Sequence, residues 1–337
     1  VRAAIFKAVG EPLAIETLPD PSPGDGEVVV RVGRCGVCGT DLHATSGHGY
    51  TMALGAQLGH EFAGEVVAVG KGVQTLKLGD TVAALPVVGC GQCEYCQTGI
   101  DVLCPQWRSY GAGAAEFARV SERGATLLPK SVSLADGALV EPLAVSLRAV
   151  RLAAPTPESR VLIIGPGPIG LGLLFWLRQR GVKSIALLAS SSRRRALAES
   201  MGARHFIIES EQAVAEVEAA LGGPPDIVFE AAGVPGVVAR AVKLVRPQGS
   251  IVALGFCMTP EPLVPGIALL KDINIRFSII YTRKDFEDCA SALDANAVEA
   301  RALVTDTVGM DAFPAAFEAF RSGAGIGKLL VDPWSKA

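Results

Sequence analysis

The sequence is poor in aromatic residues, with only 6% Phe, Trp and Tyr, holds just four histidines, and carries a formal net charge of −3 over 337 residues. It has neither a basic field to gather phosphates nor aromatic faces to stack bases. Nucleic acid is therefore excluded as a main partner, and a small molecule is expected instead. Long apolar runs are also missing, because Gly, Pro or charge cuts the most hydrophobic segments well short of the roughly 20 residues a membrane span requires. Val1 to Val9 alternates apolar and polar residues like a strand and lacks the apolar core of a secretory signal. A soluble cytoplasmic protein with no membrane partner is expected. Hydrophobic residues, by contrast, make up 50% of the chain, enough at this length for two packed cores.

Cysteine is clustered. Of eight, four fall between Cys90 and Cys104, and Cys35 and Cys38 close a Cys-Gly-Val-Cys segment. In a large chain without an export signal this clustering points to metal rather than to disulfides. Cys35, Cys257 and Cys289 read as ordinary thiols.

The first part of the chain, to about Arg119, reads as short strands (3–6, 27–32, 64–69 and 81–85) separated by Gly, Pro and Asp, an irregular β domain. After Glu141-Pro142 the texture changes. An apolar helical stretch runs through Val150, and then strands (161–164, 185–188, 205–208, 227–230 and 250–254) alternate with helices that reach about 180, 201, 221 and 245. Such alternation is the mark of a doubly wound parallel sheet. The apolar run 277–281 is expected to form its edge strand, and an unpaired edge invites a second subunit. The tail reads as helices at 285–295 and 314–322 and a strand at 328–331.

Gly165-Pro166-Gly167-Pro168-Ile169-Gly170 follows the first of these strands and opens a helix. Glycines at this spacing allow a tight turn, close approach of the backbone to a pyrophosphate, and helix-on-sheet packing, while the helix N-terminus supplies free N–H groups. A dinucleotide is the expected ligand. An NAD-specific site places an acid at the end of the second strand, but here the chain reads Ala189-Ser190-Ser191-Ser192-Arg193-Arg194-Arg195. Hydroxyls and guanidinium groups suit a 2′-phosphate, so NADP is expected over NAD, read by Ser190, Ser191, Arg193 and Arg194. Ala232 and Gly255, just past the fourth and fifth strands, are small enough to admit the cofactor.

Two metal constellations are legible. Cys90, Cys93, Cys96 and Cys104 supply four soft ligands in a Gly-rich lobe, a closed structural zinc site, with an iron–sulfur centre as the competing reading. Cys38, in Cys38-Gly39-Thr40-Asp41-Leu42-His43, and His60-Glu61 offer a thiolate, an imidazole and a carboxylate that only the fold can bring together. Three mixed ligands leave an open position, and zinc there acidifies a bound alcohol or polarises a carbonyl. Two zinc ions per chain are therefore expected.

Taken together these motifs resemble the medium-chain, zinc-containing alcohol and polyol dehydrogenase family. Gly59-His60-Glu61 with Gly64, Gly70 and Val73 fits its zinc signature, and Cys-Gly-Thr-Asp-Leu-His, the four-Cys lobe, Glu141-Pro142-Leu143 and Gly-Pro-Gly-Pro-Ile-Gly occur in the family's order. The resemblance implies a GroES-like catalytic domain, 1–143 with 285–337, and a Rossmann domain, 144–284. It implies an active site in the interdomain cleft and a homodimer or homotetramer. It implies reversible hydride transfer between NADP or NAD and a small secondary alcohol, diol or polyol. By position in the motifs, Cys38 and His60 are zinc ligands, and the third is Glu61 or Glu141. An acid at 141 resembles the sorbitol and threonine dehydrogenase branches. Thr40 matches the hydroxyl that touches the alcohol, His43 the imidazole that passes its proton to solvent through the cofactor ribose, and Asp41 the carboxylate that orients His60. His48 and Tyr50 are further candidates for the substrate mouth. Two other readings compete: a reductase or quinone oxidoreductase of the same superfamily without catalytic zinc, and a zinc-stabilised nucleotide-binding protein without turnover.

Overall fold

The ten-residue strand Glu27–Gly36 is the axis of the first unit. The structure, a computed structural model, describes residues 1–47 and 51–335; His48 and Tyr50 lie outside them. The chain divides into two compact units, Val1–Glu141 with Thr282–Ala337, and Pro142–Tyr281.

In the first unit Glu27–Gly36 is much longer than its apolar core, Val28 to Val32, suggests. Register shifts at Val29/Val30 and Val32/Arg34 bend it, so that it pairs with Glu61–Val69 along its length and with Phe117–Ser121 over its first half. Its last residues meet the terminal strand Lys328–Asp332, with Gly36 opposite Leu330 and Cys35 opposite Val331. Bulges of this kind re-aim a strand end. The registers also fix the site: Gly36 lies opposite Glu61, so Cys38, two residues past one strand end, comes up beside His60, which precedes the other. Apolar side chains of both strands, among them Val28, Val30, Val32, Phe62 and Val66, share a buried core with Phe313, Phe317, Leu329 and Val331 from the tail.

The second unit is a six-stranded parallel sheet with helices between successive strands, in chain order Arg160–Ile164, Ser184–Ala189, His205–Ile208, Ile227–Glu230, Ser250–Ala253 and Asn274–Phe277. In space they run third, second, first, fourth, fifth, sixth. This is the Rossmann order, in which all strands run parallel and the strand order reverses between first and fourth, opening a ligand crevice at their carboxyl ends. The sixth strand corrects the expected edge at 277–281. Asn274 pairs with Ser250 and Phe277 with Ala253, because an edge strand covered on one side tolerates the polar Asn274 and Arg276, whereas the apolar run lies beyond the ladder. Among the described residues no helix is long and apolar enough to cross a membrane.

Candidate functional site

Cys38 caps the short helix Gly39–Ala44 and is held there by Asp41, whose Oδ2 accepts the Cys38 N–H at 3.0 Å. The other oxygen of the same carboxylate faces His60 Nδ1 at 3.2 Å. One buried acid thus ties the two segments together, and with Nδ1 engaged, Nε2 is the nitrogen left to bind a cation when the ring is neutral. Burial works against the charge on both groups, yet their mutual attraction dominates: Asp41 titrates below the usual carboxylate range and His60 well above that of free imidazole, with Cys38 adding to the latter.

Cys38, His60 and Glu61 each offer one ligand atom within 4.8 Å of the others. Glu61 is fully buried; one oxygen accepts from Lys328 Nζ, and Oε2 has no hydrogen-bond partner among the described residues. An unsatisfied buried carboxylate oxygen beside a thiol and an imidazole suits a divalent, borderline-soft cation such as zinc. Glu141 is buried in the first turn of the helix Val140–Ala153, where its charge acts on Lys328, and it stands outside this trio. Thr40 Oγ1 is 3.4 Å from His60 Nε2. His43 lies one turn further along the same helix and is exposed. Cys35, buried near Asp41 and Glu61, has its thiol pushed far up by burial and then by those acids. It stays protonated, as an ordinary thiol does.

The four lobe cysteines, Cys90, Cys93, Cys96 and Cys104, also converge within 4.8 Å. Backbone N–H groups point at the sulfurs: Cys90 N and Gln106 N each lie 3.3 Å from Cys104 Sγ, and Gln92 N lies 3.5 Å from Cys90 Sγ. Such amides bring Cys90 down to about 6, while burial pushes Cys96 up to about 12. A cation removes that conflict by binding all four as thiolates. The lobe is anchored by Asp101, which accepts Gly89 N–H at 2.9 Å and the Arg283 guanidinium at 2.7 Å.

In the second unit Gly165 turns the chain with φ +92°, and a Cβ there would lie 2.7 Å from Ala232 N. A Cβ at Gly170 would lie 2.1 Å from the Gly165 carbonyl oxygen, and one at Gly255 2.3 Å from Gly233 N. Gly167 differs: it caps the helix Pro168–Gln179, whose first turn holds Pro168 and Ile169, and nothing lies within 4 Å of the Cβ it lacks. Open space at a helix N-terminus fits a pyrophosphate. Ser190 and Ser191 follow the second strand directly and are exposed, as is Arg193. Burial, and then the like charge of Arg193, lowers the pKa of Arg194. Arg195 lies 4.8 Å above the Phe206 ring and 3.8 Å from Glu199.

Among the buried charged residues that the sequence did not single out, three stand beside the features above. Lys328 holds Glu61, Asp101 anchors the lobe, and Glu230 accepts Ala232 and Gly233 N–H, both at 2.8 Å, shaping the turn beside the glycine loop. The only signals were a lone Lys opening the apolar Leu-Leu-Val strand and an acid ending Ile-Val-Phe.

The family model of the alcohol dehydrogenase GroES-like domain matches residues 24–130, and that of the zinc-binding dehydrogenases matches 168–295. Sorbitol dehydrogenase of Bacillus subtilis is 33% identical over 323 residues, 92% of this chain and 91% of its own. Among solved structures, an alcohol dehydrogenase of E. coli CFT073 complexed with NADH superposes with a TM-score of 0.89 at 28% identity, covering 98% of each chain. A protein of Sinorhizobium meliloti 1021 bound to NADP gives 0.88 at 29%, covering 98% of this chain and 99% of its own.

Proposed function

This chain belongs to the zinc-containing medium-chain alcohol and polyol dehydrogenase family, and from that premise we propose that it oxidises a small secondary alcohol, diol or polyol to its carbonyl, reversibly and with NADP in preference to NAD. The observation that carries the reading is the convergence of Cys38, His60 and Glu61, with an unsatisfied Glu61 oxygen, beside the hydroxyl of Thr40. Zinc held by these residues, with Glu141 as the alternative acid, supplies a Lewis acid that acidifies a hydroxyl and polarises a carbonyl. A second zinc in the four-Cys lobe is structural. The nicotinamide supplies the hydride acceptor.

The chain's own residues do the rest. Asp41 fixes the His60 tautomer and joins it to the Cys38 turn. Thr40 presents its hydroxyl beside His60 Nε2, where it accepts the hydrogen bond of the substrate hydroxyl. His43 lies three residues on, on the same helix face, and releases the proton to solvent. The polyol substrate class is supported by the sorbitol dehydrogenase relative and by the acid at position 141. The test is a panel of secondary alcohols, diols and polyols with NADP and with NAD, run with and without a chelator. The reading predicts chelator-sensitive reduction of NADP by members of the panel. Cofactor binding with no turnover on any of them favours a nucleotide-binding protein instead.

The preference for NADP rests on Ser190, Ser191, Arg193 and Arg194, with no acid among them. Arg193→Ala combined with Arg194→Ala should lower kcat/KM for NADP about 10- to 100-fold, the worth of one or two charge-assisted hydrogen bonds, and leave NAD nearly unaffected. Equal losses for both cofactors contradict this assignment.

Self-association is supported by the edge strand Asn274–Phe277 and the helix Pro265–Lys271, where Phe277, Leu269 and Leu270 are 74%, 78% and 85% exposed. Exposed apolar side chains on this helix and on a strand that pairs on one side only among the described residues suit a second copy. Light scattering should find at least a dimer for the native chain and a shift to monomer for Phe277→Asp with Leu270→Asp. A native monomer contradicts it.

A further inference from the structure

Lys328 opens the terminal strand Lys328–Asp332, and its side chain is only 3% exposed. An ammonium so buried persists only when paired. Its Nζ donates to one carboxylate oxygen of Glu61 and, at 3.0 Å, to the Val37 carbonyl. Val37 precedes Cys38 and Glu61 follows His60, so one side chain from the far end of the sequence grips both ligand-bearing segments.

The rest of the Glu61 carboxylate is built differently. Its Oε2 is buried without a hydrogen-bond partner among the described residues, and it lies over Gly36, where a Cβ would come within 2.2 Å of it. A carboxylate neutralised on one side and unsatisfied on the other is drawn toward a cation and, at the same time, held back by the ammonium.

Resting on the reading of Cys38, His60 and Glu61 as a zinc site, we propose that Lys328 is a positioning residue that competes with the metal for Glu61, keeping that carboxylate a weak donor which substrate can displace. The physical reason is electrostatic. Without the ammonium, Glu61 has only the divalent ion as counter-charge and binds it more firmly, and the ion also loses a nearby like charge. A purely structural role predicts the opposite, since a loosened site loses its metal faster.

The experiment measures zinc loss to excess chelator at fixed pH and salt, using an indicator dye. Comparison with Cys38→Ser identifies the phase that belongs to this site. Lys328→Met should slow that phase about tenfold, Lys328→Arg should stay close to native, and in a Glu61→Gln background the Lys328→Met effect should shrink to about threefold or less. Loss from Lys328→Met that is unchanged or faster overturns the inference. Should Lys328→Met fail to fold, the double variant leaves neither buried charge unpaired. A tenfold difference between it and Glu61→Gln would then overturn the inference, because the effect would not run through Glu61. If no phase of the native protein is abolished by Cys38→Ser, the zinc reading itself fails. A phase present but indifferent to Lys328→Met removes only the role of Lys328.

Discussion

Cys38→Ala should release one zinc per chain and lower kcat/KM by roughly 10³-fold or more, since a Lewis acid contributes several kcal/mol to the transition state. The loss is expected to be selective. Asp41 Oδ2 accepts the backbone N–H of residue 38, which alanine keeps, so the helix Gly39–Ala44 retains its start. Asp41 also continues to hold His60. The thiolate is the one soft, charged donor among the trio, and imidazole and carboxylate alone bind zinc much more weakly. The four-Cys lobe, with its own amides and its anchor at Asp101, should keep its metal. Cofactor binding should persist too, because the glycine loop is built entirely within Pro142–Tyr281. Elemental analysis together with steady-state kinetics checks this. Full zinc content, or activity within about tenfold of native, contradicts it, a loss that small being too little for removal of a Lewis acid.

Thr40→Val should lower kcat by about 10²- to 10⁴-fold, the range typical of a positioned proton-transfer group. Valine keeps the β-branched shape and replaces only the hydroxyl, so zinc content and the dissociation constant of NADP should stay unchanged. Thr40→Ser, which restores an oxygen, should recover most of the rate. The expectation rests on the 3.4 Å approach of Thr40 Oγ1 to His60 Nε2, which puts the hydroxyl beside the nitrogen proposed as a metal ligand. Near-native turnover in Thr40→Val excludes this proton path, and a matching loss in Thr40→Ser points to packing instead of chemistry.

How much of this was legible depended on whether the information was local. The second unit could be read element by element, because a buried parallel strand is a short β-branched run and Gly165 to Gly170 is one continuous turn. The long strand Glu27–Gly36 was only half visible, since beyond Val32 it bends through a register shift and carries Gly33, Arg34, Cys35 and Gly36. The edge strand was misplaced for a related reason. Asn274 and Arg276 look like loop residues, yet the edge of a sheet exposes them, while the apolar Ile279 and Ile280 lie past its end. The metal motifs were recognisable as two short segments, but not the charge that joins them. Lys328 stands 267 residues from Glu61, and only the antiparallel pairing of the terminal strand with Gly36 and Cys35 brings it there. Long-range register is a property of the assembled sheet, and no local pattern announces it.

The account stands on one cation held by Cys38 and His60, and anomalous diffraction at the zinc edge, from crystals grown with zinc, tests it most directly. Two peaks per chain are predicted, one among Cys90, Cys93, Cys96 and Cys104, the other joining Cys38 Sγ and His60 Nε2 with a carboxylate beside it. A map with density at the four cysteines and none between Cys38 and His60 would contradict it.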